Sequence, residues 1–419
     1  MRELDQQLLA RQLAISRRSI PSHQWSAIAA SIAADRAQWE KHLRKPEPEI
    51  NRKLFAGLEI LKATGVLVPQ LTFDRRKVAD IRRYLDPLPV YRGSHILSSD
   101  YRQAPFDEVQ RDSAFAGYTA DQILRAPHLV DFFNQPAIVD FMEAALGCVP
   151  TLYSVNGWWS FPATIPTGDG MQRFHRDTDD WRFITLFVYL TDVDEGAGPH
   201  QLVAGSHTLA GMTRLIERAR AGATSGEKMI DPAESFTGDY YFQPEFSAFI
   251  DRHFRDSIVN VTGPAGTVFM ANTIAVHRGI MPSKMPRLIV WARYGLGPNT
   301  NSVDLEQGPL ARLLTNTQLT DTPRNRYVNR LLFEFDRISS ALPELALAAP
   351  AQLPQSGPSL ADDAAFDEPV PLPVIRPADE RSAAAALRLQ AQRGGTAPAK
   401  AKPGLVAAGF NWARSLIPR

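Results

Sequence analysis

Residues 182–193 read Arg182-Phe-Ile-Thr-Leu-Phe-Val-Tyr-Leu-Thr-Asp-Val193. The apolar run at its centre, near residues 183–190, is the longest in the chain and falls far short of the roughly 20 residues needed to cross a bilayer. Its β-branched and aromatic residues, followed by turn formers, read as a strand. Alternation places Thr185, Phe187 and Tyr189 on one face, expected to be the interior of a barrel.

The same character recurs at 151–161, 201–204, 258–261, 267–271 and 287–294. Gly168-Asp-Gly170, Gly196-Ala-Gly-Pro199 and Gly263-Pro-Ala-Gly266 punctuate these segments. Short strands joined by Gly-rich turns predict a double-sheet barrel or jelly roll. Trp158 and Trp159 lie on opposite faces of their strand, so one lines the barrel and the other faces outward. Before Pro150 the chain is mostly helical. Segment 75–85 reads as a helix, and so does 120–146, with Thr119 as N-cap, a break at Pro136 and Gly147 at the end. The class is therefore α+β, a jelly-roll core with packed helices.

Residues 1–64 form a helical N-terminal extension. Leu8, Leu9, Leu13 and Ile15 mark a first helix; Trp25, Ile28, Ile32 and Trp39 a second; Ile50, Leu54, Phe55, Leu58 and Leu61 a third, ended by Gly65. Val66-Leu-Val-Pro69 reads as the first strand. The jelly-roll domain is assigned to 65–339. Within it, 209–254 is longer than an ordinary loop, carries a helix near 211–220 and is placed as a lid. Residues 340–377 are a Pro/Ala-rich linker. The tail, 378–419, holds two short helices, the second of which can dock on the core or on a partner.

Formal net charge is +1, from 46 basic and 45 acidic residues, so no general attraction to nucleic acid is built in. At 44% hydrophobic and 22% charged the composition is that of a soluble globular protein. Cys148 is the single cysteine, which excludes an intrachain disulfide and a thiolate-rich metal site and fits a reducing compartment. With neither an apolar signal-peptide core at the N-terminus nor a transmembrane run, the expected location is cytoplasmic.

His175-Arg-Asp177 lies just before the 182–193 strand. Positions i and i+2 of extended chain point to one side, so His175 and Asp177 can converge on one metal ion. Nine histidines and 45 acids in 419 residues supply about one His-x-acid match by chance (9 × 45/419), and one occurs, so the pair alone decides nothing. Its context adds weight. His277 closes the next strand-like segment that carries a histidine, and Arg287 opens the apolar run that follows. Two histidines and a carboxylate with open positions are the ligand set of non-haem Fe(II) oxygenases. A guanidinium ten residues past the last ligand suits a cosubstrate carboxylate.

Other polar residues have milder readings. Gln172 either contacts cosubstrate or substrate or faces solvent at a strand edge. Asp179 and Asp180 read as a solvated loop pair, with capture of a cationic substrate group as the sharper alternative. His207 is expected to be a turn histidine bonded to backbone. His200 and His253 are placed on the surface, and Arg293, in strand parity with Arg287, as its possible supplement.

The segments Gln172-Arg-Phe-His-Arg-Asp177, Tyr189-Leu-Thr-Asp-Val193, Gly198-Pro199 with Ala204-Gly-Ser-His207, and Gly266-Thr-Val-Phe269 leading to His277-Arg-Gly279 together resemble the phytanoyl-CoA dioxygenase family, over about residues 60–300. The resemblance implies a double-stranded β-helix with Fe(II) bound by His175, Asp177 and His277. It implies 2-oxoglutarate as cosubstrate, held by Arg287, with O2 as the oxidant. A small-molecule hydroxylase converting 2-oxoglutarate and O2 to succinate and CO2 is the expected activity. Gln172 and Thr185 are the further expected cosubstrate contacts. Some relatives carry a hydroxyl residue two positions after the distal histidine; Gly279 stands there, so Thr185, Trp158 and Ser160 become candidates for that contact. The rival readings are a non-catalytic jelly-roll binding protein and a cupin-like metal enzyme that does not use 2-oxoglutarate.

Overall fold

The apolar run of 183–190 becomes a strand buried on both faces, which is why it lacks the polar alternation of a half-exposed strand. The computed structural model describes residues 25–43, 52–69, 71–92, 103–162, 172–177, 179–236, 244–297, 311–312 and 319–334. The expected helix near Leu8–Ile15, the turn at 168–170, the linker 340–377 and the tail lie outside these residues.

Eleven strands build two facing sheets: β1 Val66–Leu67, β2 Val90–Arg92, β3 Gln103–Ala104, β4 Phe115–Gly117, β5 Thr151–Ser160, β6 Phe183–Tyr189, β7 His200–Val203, β8 Ile258–Val261, β9 Val268–Ala271, β10 His277–Gly279 and β11 Arg287–Gly295. The larger sheet runs β1-β9-β6-β11-β5-β4-β2-β3 and the smaller β10-β7-β8. All of these pairings are antiparallel. This is the double-sheet jelly roll that the strand pattern predicts.

Strand parity separates two apolar layers. Phe187, Tyr189, Leu202, Val261, Phe269, Ile289 and Trp291 fill the space between the sheets. Phe187 and Phe269 stack there with ring centroids 4.6 Å apart. Ile184, Leu186 and Val188, on the opposite face of β6, belong to the main core together with Ile138, Phe141 and Met142 of helix Pro136–Leu146. The two tryptophans divide as expected. Trp158 meets Trp291 edge-on inside the barrel, while Trp159 donates its indole N–H to the Tyr118 hydroxyl and packs in the outer core.

The helical part follows local signals. Thr119 and Gln122 form a reciprocal capping box at the start of helix Ala120–Arg125. Helix Trp25–Trp39 packs into the same core through Ala29 and Ala33, and its buried Arg36 reaches Glu40, Thr151 and the Val149 carbonyl. The segment expected as a lid carries two helices, Leu209–Gly222 and Pro244–His253. Only the first has an obvious sequence signature; Pro at the start of the second marks its N-terminus. Among the described residues no helix is long and apolar enough to cross a membrane.

Candidate metal centre

His175 and His277 face each other across a single antiparallel bridge, each backbone N–H donating to the other's carbonyl at 2.9 Å. Directly opposed residues project to the same side, and the two imidazoles lie 4.3 Å apart, centre to centre. Asp177, two residues on, is fixed by its N–H donating to the Thr273 carbonyl at 2.8 Å. One ligand atom from each of the three residues lies within 4.8 Å of the others. Asp177 Oδ1 is 3.9 Å from His175 Nε2, and Oδ2 is 3.8 Å from His277 Nε2.

The imidazoles are oriented for a metal. Nδ1 of His175 lies 2.8 Å from the Arg173 carbonyl, and Nδ1 of His277 lies 2.9 Å from the Ala275 carbonyl. A carbonyl only accepts, so each Nδ1 carries a proton, and each Nε2 is the ring atom left to face the cluster. Backbone partners of this kind fix tautomer and ring orientation in metal sites. Burial, then the neighbouring His175, push His277 down to about 4, so it is neutral at physiological pH. Burial alone would raise the Asp177 carboxyl, yet Arg293, then His277 and His175, hold it down to about 2. Two imidazoles and an ionised carboxylate, held together before any ion arrives, fit an Fe(II)-type donor set.

Arg293 is where the sequence reading needs correction. It does not supplement Arg287. Its guanidinium donates to Asp177 Oδ2 at 2.8 Å and also pairs with Asp179. Asp179 therefore anchors the guanidinium that holds Asp177, rather than being a solvated loop residue. Asp180 is buried too, accepting from the backbone N–H groups of Trp181, Leu296 and Gly297. No cationic substrate is needed to explain either acid.

Arg287 sits inside the barrel, 3% exposed, which is rare for a guanidinium without a carboxylate beside it. It donates to the Gly198 carbonyl and, at 3.2 Å, to Ser160 Oγ. Burial lowers its pKa from the ordinary value, against the opposing influence of Tyr189. Two glycines shape the backbone around it, and the second leaves room for the guanidinium. Gly198, at φ +72, would drive a Cβ to 2.3 Å from the Ile280 carbonyl oxygen, and a Cβ at Gly279 would lie 2.9 Å from Arg287 Nη2. The hydroxyl missing at position 279 thus has a steric reason: the guanidinium occupies that space.

Thr185 is fully buried on the inner face, 3.4 Å from the Thr273 hydroxyl, which in turn bonds Asp177. It therefore braces Asp177 through Thr273. Gln172 is half-buried in a turn rather than at a strand edge, and its amide lies 2.9 Å from Met281 Sδ. His207 is the expected turn histidine, its Nε2 2.8 Å from the Lys62 carbonyl. His253 is not a free surface residue; it lies 2.8 Å from Glu227 Oε1. His200 is not on the surface either. It is 8% exposed and lies between Phe187, Phe269 and His277.

The buried imidazoles set a pH dependence. Burial pushes both His207 and His277 down to about 4, whereas the unfolded chain takes up each proton near about 6.5. Stability from these groups is fully present above about 6.5 and is lost as pH falls to about 4. Urea denaturation of the metal-free protein across that window should show the loss, and His207→Gln should reduce its slope. A slope unchanged by that substitution removes His207 from the account.

Comparison with known proteins follows the same outline. Residues 61–279, just over half of the chain, match the family model described as phytanoyl-CoA dioxygenase (PhyH). A comparison with curated proteins finds no match. Among solved structures, similarity extends to the epimerase SnoN in complex with Fe3+, alpha ketoglutarate and nogalamycin RO, at 17% identity over 58% of this chain and 83% of that one, TM-score 0.37. EctD from S. alaskensis in its apoform matches at 16% identity over 70% and 89%, TM-score 0.35. The non-heme monooxygenase ThoJ, as its Ni complex, matches at 17% identity over 67% and 89%, TM-score 0.34. The family match and the buried His-Asp-His cluster lead to one assignment: this chain belongs to the phytanoyl-CoA dioxygenase family of 2-oxoglutarate-dependent non-haem iron enzymes.

Proposed function

We propose that the protein hydroxylates a small molecule, with Fe(II) held by His175, Asp177 and His277 and the far carboxylate of 2-oxoglutarate held by Arg287. The observation that carries this reading is the pairing of a preoriented His-Asp-His cluster with a buried guanidinium inside one barrel. A metal enzyme without 2-oxoglutarate has no use for the guanidinium, and a binding-only barrel has no use for the ligands. When bound, iron and 2-oxoglutarate supply the oxidation: 2-oxoglutarate and O2 become succinate and CO2, and one oxygen atom passes to substrate.

The chain's own residues bind, orient and exclude water. Arg293 neutralises part of the Asp177 charge and fixes its carboxylate plane. The Arg173 and Ala275 carbonyls aim the imidazoles. The 209–254 segment is joined to the ligand-bearing strands: Phe174 N–H donates to Ser247 Oγ at 2.9 Å, and Arg278 pairs with Asp251 at 2.8 Å. That attachment supports its role as the cover that selects substrate. The oxygenase domain is assigned to 65–339. Buried Cys148 and a chain without a second cysteine suit the cytoplasm.

The test is succinate formation from 2-oxoglutarate by anaerobically loaded protein on admission of O2, with and without Fe(II), followed by mass spectrometry of metabolite extracts for products heavier by one oxygen. Turnover that ignores Fe(II) overturns the reading. Arg287→Ala should raise the KM for 2-oxoglutarate by about 10–100-fold, the weight of a charge-assisted pair. An unchanged KM removes Arg287 from that role.

A further inference from the structure

His200 is a histidine that neither the metal cluster nor the core requires. It stands on the inner face of β7, where its backbone N–H donates to the Tyr189 hydroxyl oxygen at 3.1 Å. Its cross-strand partner is Gly279, which offers no side chain and over which the Arg287 guanidinium lies. Its ring is 5.4 Å from the His277 ring, nearly parallel to it, and 5.0 Å from Phe187. His200 thus stands between the last metal ligand and the buried guanidinium.

Three polar atoms in this space are buried with no hydrogen-bond partner among the described residues: His200 Nε2, Arg287 Nε and Trp291 Nε1. The last two are obligatory donors. Trp291 shares the inner face of β11 with Arg287 and lies 6.0 Å from Phe187, centre to centre. Buried polar atoms are almost always paired in folded proteins, so each such group calls for an absent partner. A cluster of donors beside a guanidinium calls for an anion.

We propose that His200 Nε2–H donates to the far carboxylate of 2-oxoglutarate, completing the anchor that Arg287 begins. This rests on the functional reading above. An imidazole ring carries an N–H that a carboxylate oxygen accepts, and His200 Nε2 is the buried ring atom without a partner beside Arg287. An apolar side chain at 200 would fill the gap and leave the carboxylate one donor short.

The experiment is calorimetry on Mn(II)-loaded protein under nitrogen, titrated with 2-oxoglutarate and separately with 2-oxobutanoate, which lacks the far carboxylate. His200→Leu is expected to weaken 2-oxoglutarate by about 10–100-fold, to leave 2-oxobutanoate and Mn(II) affinity unchanged, and His200→Gln to restore most of the loss. Unaltered 2-oxoglutarate affinity in His200→Leu overturns the role of His200 and leaves the functional reading standing. Absence of 2-oxoglutarate binding by the unsubstituted protein overturns both. Equal weakening of Mn(II) shows that His200 acts through His277 and also overturns the proposal. Should the leucine variant fold poorly, 15N correlation spectra of the unsubstituted Zn(II) protein decide: 2-oxoglutarate must shift the His200 Nε2 signal and slow exchange of its proton, and 2-oxobutanoate must not.

Discussion

Asp177→Ala should abolish Fe(II)-dependent succinate formation and destabilise the protein in one step, because Asp177 serves two partners. Its carboxylate sits between the two imidazoles, and it also accepts from Arg293. Altering an outer partner of a metal ligand costs about 10–100-fold in affinity, so removing the only anionic ligand should cost more than ~100-fold. Two imidazoles alone, which carry no negative charge, cannot offset a divalent cation in a site this buried. The stability effect arises separately. Arg293 keeps Asp179 but loses a charge-assisted bond, worth about 1.5–3 kcal/mol. Asp177→Asn separates the effects: it keeps an acceptor for Arg293 and loses the charge, so stability should largely return while metal binding does not. Metal content after anaerobic loading, succinate yield and urea midpoints read the three quantities. Metal binding by Asp177→Ala that matches the unsubstituted protein would sink the ligand assignment.

The extent to which the sequence revealed this site follows from which contacts are local. His175 and Asp177 are legible because their spacing is a property of extended chain. His277 and Arg287 are legible because each adjoins a strand with strong apolar character. Strands 183–189 and 287–295 announce themselves for the same reason. The partners of Arg293 are not legible. They depend on a loop, 177–180, folding back onto a strand more than a hundred residues later. A polar pair in a loop looks solvated until that closure is known. His200 was hidden likewise: a lone histidine after Gly-Pro has no signature of depth, and only the facing sheets bury it. The strands Val90–Arg92, Gln103–Ala104 and Phe115–Gly117 are two or three residues long and carry no period; Phe115–Gly117 pairs with the long Thr151–Ser160 strand, and the other two add outward from it in turn. In each case tertiary closure overrides a local signal too short to read.

Arg176, the middle residue of His175-Arg-Asp177, is expected to matter to folding nearly as much as its neighbours matter to chemistry. Alternation turns it away from the metal, and there it is 4% exposed. Its guanidinium donates to the Ser235 carbonyl at 3.0 Å, to the Ile274 carbonyl at 2.6 Å and to the Ser206 carbonyl, and lies 3.9 Å from the centre of the Phe236 ring. One side chain thereby joins the segment carrying His175 and Asp177 to the loop that leads into His277, to the turn after β7 and to the 209–254 segment. Arg176→Ala leaves those carbonyls buried and short of donors, at about 1–3 kcal/mol each, and removes a cation–π contact. Some relaxation and water entry offset the sum, so a loss of about 3–5 kcal/mol is expected. Because the Ile274 loop loosens, metal affinity should also fall, by about 10–100-fold. Arg176→Lys keeps the charge but cannot fan donors over three acceptors, so it should recover less than half of the loss. Urea denaturation of the metal-free protein and calorimetry with Mn(II) measure the two effects. A variant as stable as the unsubstituted protein would show that these carbonyls find other donors, and that the cover and the metal site are joined by some other contact.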